Sequence, residues 1–154
     1  MAEHSTLTGS NLHEPKGAAS ATSGQVYVAD GAGSGTWTDV TSAQGYVVSA
    51  VIADVSTAET VYVPIPYSGT VAKVTTALEG AIATADDTIT VTNVGVGSMG
   101  TITITQSGSA AGDIDTLTPA SNNTVTNDDV ISIATDGAST SAQRLWVSVT
   151  IVRD

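Results

Sequence analysis

VYVPIPYSGTVAKVTTALEG, residues 61–80, holds two strand patterns in succession with a stop between them. Val61, Val63, Ile65 and Tyr67 recur at period two, and Ala72, Val74, Thr76 and Leu78 resume that period after Ser68-Gly69. Side chains on a strand alternate between faces, so the stretch reads as strand, turn, strand. Pro64 and Pro66 lie on the opposite phase from the apolar set and remove backbone donors from the first strand. That places it at a sheet edge or a bulge.

Working outward, Tyr46–Ile52 is a nearly continuous apolar run, the pattern of a strand covered on both faces. Thr88–Val96 sets Ile89 and Val91 one way, and Thr101–Thr105 alternates threonine with isoleucine. Asp113–Leu117 makes a short strand, Pro119–Asn127 a polar connection, and Val130–Ala134 a short apolar segment turned by Asp136-Gly137. In the last segment Leu145, Val147, Val149 and Ile151 share one face, with Trp146, Ser148 and Thr150 on the other. About eight strands at spacings of roughly 8–15 residues, without an amphipathic helix, predict an all-β fold, an antiparallel β-sandwich of jelly-roll type. No fixed repeat period is present, which disfavours a solenoid or propeller.

The formal net charge of the 154-residue chain is −11, from 15 acidic residues against Lys16, Lys73, Arg144 and Arg153. Such a surface repels phosphate and anionic lipid, so neither nucleic acid nor membrane is an expected partner. Met1–Ser10 is polar and no apolar run approaches about 18 residues, so no leader or membrane helix is expected and synthesis in the cytoplasm is. Cysteine is absent, which excludes disulfides, thiolate metal ligands and a cysteine nucleophile. Phenylalanine is absent too, leaving a core of Val, Ile, Leu and Ala. A core that small favours oligomerisation as a way to cover more apolar surface.

Residues 1–44 are poor in large apolar side chains and rich in Gly, Ser, Ala and Thr. Alone they bury too little to offset the entropy of ordering them, so they predict an extended N-terminal arm ahead of a β-sandwich domain at 45–154. Within the arm, His13-Glu14-Pro15-Lys16-Gly17 combines both charges with a backbone that Pro15 restrains. Val26, Tyr27 and Val28 form a strand-like patch, Asp30-Gly31 is a hairpin-type turn signal, and Trp37 is a large apolar anchor. These residues, His13 to Gly17 with Val26, Tyr27, Val28 and Trp37, are the candidate partner-binding set. Fully extended, about 25 such residues span some 80 Å.

HEPKG, a short alanine-rich run and QVYVADGAGSGTW together resemble a segment near the N-terminus of tailed-bacteriophage head fibre and capsid decoration (cement) proteins. VPIPYSGTVAKVTTALEGAI, TITITQSGSAAGD and TDGAST are similar to the sandwich domain of small phage virion proteins. The resemblance implies a non-enzymatic homotrimer on the outer surface of the virion capsid, its arm gripping the major capsid protein. It implies no cofactor. The alternative from another class is a host-surface glycan adhesion module attached to the virion or a tail fibre.

Other chemistry is poorly supplied. A serine triad needs a rigid histidine, and the only histidines, His4 and His13, fall in the arm. Asp86-Asp87, Asp113 with Asp115, and Asp128-Asp129 superficially suit a glycosidase pair or a calcium site. Beside turn residues they read as turn formers and solvating charges. Gly31, Gly33 and Gly35 lack the following helix and the Lys-Ser/Thr pair of a phosphate loop. No catalytic or metal-binding residue is therefore expected, and Tyr62 and Tyr67 stand open between subunit contact and half-buried strand positions.

Overall fold

The computed structural model describes residues 21–32, 34–39 and 45–153. The chain divides into two compact units, Met1–Ser42 and Ala43–Asp154. The His13–Gly17 patch lies outside the described residues.

In the first unit, β1 (Gln25–Ala29) and β2 (Gly35–Asp39) form an antiparallel hairpin. The extended arm expected here is thus, over these residues, a chain folded back on itself. The Asp30-Gly31 signal explains the reversal: Gly31 takes a φ of 75°, and Asp30 Oδ1 accepts from the N–H groups of Ala32 (2.8 Å) and Ser34 (3.0 Å). A short aspartate that binds backbone donors two to four residues on holds such a turn closed.

The second unit is an antiparallel β-sandwich. Its strands are β3 (Gly45–Ile52), β4 (Glu59–Pro64), β5 (Gly69–Leu78), β6 (Asp87–Asn93), β7 (Gly97–Ile104), β8 (Ile114–Leu117), β9 (Thr124–Val125), β10 (Val130–Thr135) and β11 (Leu145–Val152). One sheet has the order β3-β11-β5-β8, with β9 also on β5; the other runs β4-β10-β6-β7. The pairings are nested: β3 with β11, β4 with β10, β5 with β8, β6 with β7.

Between the sheets lies one aliphatic core. Ile52, Val74, Val149 and Ile151 from the first sheet and Ile89, Val91, Ile131 and Ile133 from the second are fully buried. Each contributes on the order of 1.5–3 kcal/mol by leaving water. The alternation in β11 is as the sequence has it, with Leu145, Val147, Val149 and Ile151 inward and Trp146 exposed.

Residues 61–80 are strand, turn, strand with the first strand at a sheet edge, as expected. Four details go beyond that sequence reading or against it. The two strand patterns of residues 61–80 do not pair: β4 is an edge of the four-stranded sheet and β5 is central in the other, so Ser68-Gly69 carries the chain between sheets. Gly69 permits that crossing because a Cβ there would stand 2.3 Å from the Val152 carbonyl oxygen. Second, β4 ends at Pro64; Ile65 stays buried through main-chain bonds to Asp129 O and from Asp128 N, while Tyr67 is exposed. Third, the register of β5 against β11 slips between Thr150 and Ile151, so Val71 enters the core where Ala72 was expected. A bulge inserts one residue into one strand, and both candidates here are apolar. Fourth, the Tyr46–Ile52 run is covered on only one face, since β3 is a sheet edge and Val47 is 57% exposed.

Candidate partner-binding surface

The hairpin gathers four of the predicted contact residues. Register pairs Val26 with Thr38, Tyr27 with Trp37 and Val28 with Thr36, which separates two faces. On one face the rings of Tyr27 and Trp37 meet edge to face, centroids 5.4 Å apart at 63°. That pair holds the two strands together and leaves both rings half-buried. On the opposite face Val26 and Val28 are 46% and 50% exposed beside exposed threonines. Apolar groups therefore lie on both sides of a two-stranded element.

Its turn is fixed electrostatically as well as sterically. The N–H groups of Ala32 and Ser34 hold the Asp30 carboxyl below its ordinary range, so the charge is kept at neutral and mildly acidic pH. Residues 21–39 include Asp30 and Asp39 and no lysine or arginine. The hairpin thus presents apolar faces with a negative tip, which suits a neutral or basic apolar surface.

No family model and no curated protein matches the chain. Among solved structures, the cyanophage Pam1 capsid asymmetric unit is similar at a TM-score of 0.46 and 18% identity, over 72% of this chain and 84% of that one.

The loop acids divide. Asp129 accepts from the Thr126 N–H at 2.7 Å within its own turn, the role expected of it, and Asp54, not singled out in the sequence, accepts from the Ser56 N–H at 2.8 Å in the same way. Asp86 differs: it accepts from the Gln106 N–H at 2.7 Å, 20 positions away, and so ties two loops together. Asp87 corrects the expectation that its pair is solvating: it is fully buried, and burial together with a hydrogen bond to Asp136 pushes its carboxyl up to about 6. Among the described residues no three His, Asp or Glu side chains gather as a metal site.

Of the open tyrosines, Tyr62 stands 66% exposed on the four-stranded sheet. Tyr67 meets Tyr46 edge to face at 5.9 Å, and the Arg153 guanidinium lies 4.8 Å over its ring. Tyr46 donates its hydroxyl proton to the Tyr67 carbonyl. The sequence sets Trp146, Ser148 and Thr150 together on the outward face of β11 and shows both phases of β3 to be apolar, but assigns that side of the five-stranded sheet no role.

Proposed function

We propose that this chain is a structural protein of a tailed-phage virion, a homotrimeric decoration or cement protein on the outer face of the capsid. In this reading residues 1–44 dock on the major capsid protein and the sandwich faces the medium. The nested strand pairing of the body supports reading it as a jelly roll, a fold used in capsid and lectin domains alike. The protein acts by contact area, with no catalytic residue and no cofactor.

The observation that carries the reading is the hairpin Gln25–Asp39. An isolated two-stranded hairpin is marginally stable in water, and this one keeps Val26 and Val28 about half exposed. Such an element gains its stability by lying against another surface. Many weak contacts along an arm, repeated in each copy of an oligomer, add by effective concentration.

Removing residues 1–40 is expected to leave a folded, oligomeric body that no longer binds undecorated heads. Full occupancy of heads by the truncated protein overturns the assignment. Val26→Ser with Val28→Ser then separates the hairpin from His13–Gly17. If the hairpin carries docking, this double variant loses at least tenfold in apparent affinity, equivalent to about 1.4 kcal/mol.

A further inference from the structure

Strands distant in sequence build the outward side of the five-stranded sheet in rows. One row runs Val51, Trp146, Ala77, Ile114 across β3, β11, β5 and β8. All four are apolar, and Trp146 and Ile114 are 54% and 61% exposed. The next row is Ser49, Ser148, Thr75, Thr116, without charge. Beyond it, Val47 and Lys73 flank Thr150, and Val152 ends the central column.

The four-stranded sheet has a different outer face. Its corresponding rows read Thr60, Ala134, Thr90, Thr101 and Tyr62, Ser132, Thr92, Ser98. Hydroxyls cover it, and Tyr62 is its large exposed side chain. A lone exposed apolar residue is ordinary, whereas a contiguous row across four strands marks an interaction surface.

We infer that this face, centred on Trp146, is where copies of this chain meet. Charge and area select that occupant. In a chain of net charge −11, copies repel wherever carboxylates face each other, and the outward positions of these rows carry Lys73 and no carboxylate. A strongly basic partner would be drawn to the acidic loops instead. The exposed parts of Trp146, Ile114, Val47 and Val152 together offer roughly 400 Å² of apolar surface, about half of one partner's share of a standard interface. The Ser/Thr row and Ala77 extend the patch toward the full share.

The inference deepens the self-association in the function proposed above and requires nothing from the capsid, so it is tested without heads. Sedimentation velocity of the full chain at tens of micromolar is expected to show a trimer. Trp146→Lys and Ile114→Lys are expected to sediment as monomers with unchanged circular dichroism, because both positions are exposed in the single chain. Tyr62→Lys, on the other sheet, is expected to keep the wild-type mass.

A monomeric wild type, or Trp146→Lys with undiminished mass, overturns the inference. In a Trp37→Phe background Trp146 is the sole tryptophan, and its emission is expected to move to longer wavelength on about 100-fold dilution, as its face returns to water. Emission that stays constant while the mass falls assigns the contact to another surface and also overturns it. Loss of head binding on deleting the arm, with the trimer intact, bears only on the docking proposal.

Discussion

Asp87 is a carboxyl placed where a charge is costly. It begins β6, is fully buried, and its two oxygens lie 2.8 and 2.9 Å from the Thr135 hydroxyl, which donates to it. Its partner Asp136 sits at the surface and accepts from the N–H groups of Thr88 and Ala138, so below about pH 6 it keeps the charge while Asp87 keeps the proton. The hydrogen bond from Asp87 and these backbone donors draw Asp136 down to about 2 as Asp87 rises to about 6. The sign follows from proton counting. Between about pH 4 and 6 the folded chain holds a proton on Asp87 that the unfolded chain has released, so stability falls as pH rises through that window. Below it the depressed Asp136 reverses the slope, and the pair's contribution is greatest near pH 4. A shift of about two units in a buried group corresponds to on the order of 2–3 kcal/mol. Asn at 87 reproduces the neutral acid, its amide donating to Asp136 and its oxygen accepting from Thr135. Asp87→Asn is therefore expected to raise the melting temperature at pH 7.5 and to flatten the profile between pH 4 and 7. An unchanged slope in thermal melts across that range would show that another group titrates there.

At the scale of elements, Gly69 tests the crossing between the sheets. Adding a methyl group there drives it into the Val152 carbonyl and the Ile151 side chain, both on the central strand β11. Overpacking of this kind costs about 1–3 kcal/mol, so Gly69→Ala is expected to lower the urea midpoint with an unchanged slope. An unaltered midpoint means the two strands separate at no cost and the close approach is unimportant. What the sequence disclosed of these elements depended on range. The alternation of β11 and β7 was legible because it is local, and so was the Asp30-Gly31 reversal. Which sheet takes β4 and which takes β5 was not, since strand, turn, strand looks the same whether the turn closes a hairpin or crosses a sandwich. The bulge beside Ala72 was hidden because Val71 and Ala72 both satisfy an apolar pattern. Of the binding set, Val26, Tyr27, Val28 and Trp37 were legible from their setting in an otherwise small-residue arm. The Trp146 row was not, because its members are separated by as many as 95 positions from Val51 to Trp146 and only register aligns them.

For the molecule as a whole, excess negative charge is the main long-range term. Fifteen acids face four cations, and among the described residues the ion pair of Arg144 with Glu79 spans 3.9 Å with both side chains more than half exposed. Exposed pairs of this kind contribute about 0–1 kcal/mol, too little to offset repulsion among the loops. Salt does what the sequence does not: at about 0.15 M the screening length is near 8 Å, and repulsion between exposed acids farther apart than that is largely screened. Sodium chloride from about 10 to 150 mM is therefore expected to raise the melting temperature, with most of the gain at the low end. The same experiment separates general screening from a specific calcium site. If the loop acids act only as turn formers and solvating charges, calcium chloride and sodium chloride at matched ionic strength, with calcium kept dilute, give the same melting temperature. A calcium-dependent rise beyond the matched sodium curve, saturating at about millimolar concentration, identifies a site that binds the folded state more tightly than the unfolded one. Asp86→Asn, Asp113→Asn and Asp128→Asn, one in each acidic stretch, would then locate it: the substitution that abolishes the calcium increment while retaining the sodium response marks the ligand.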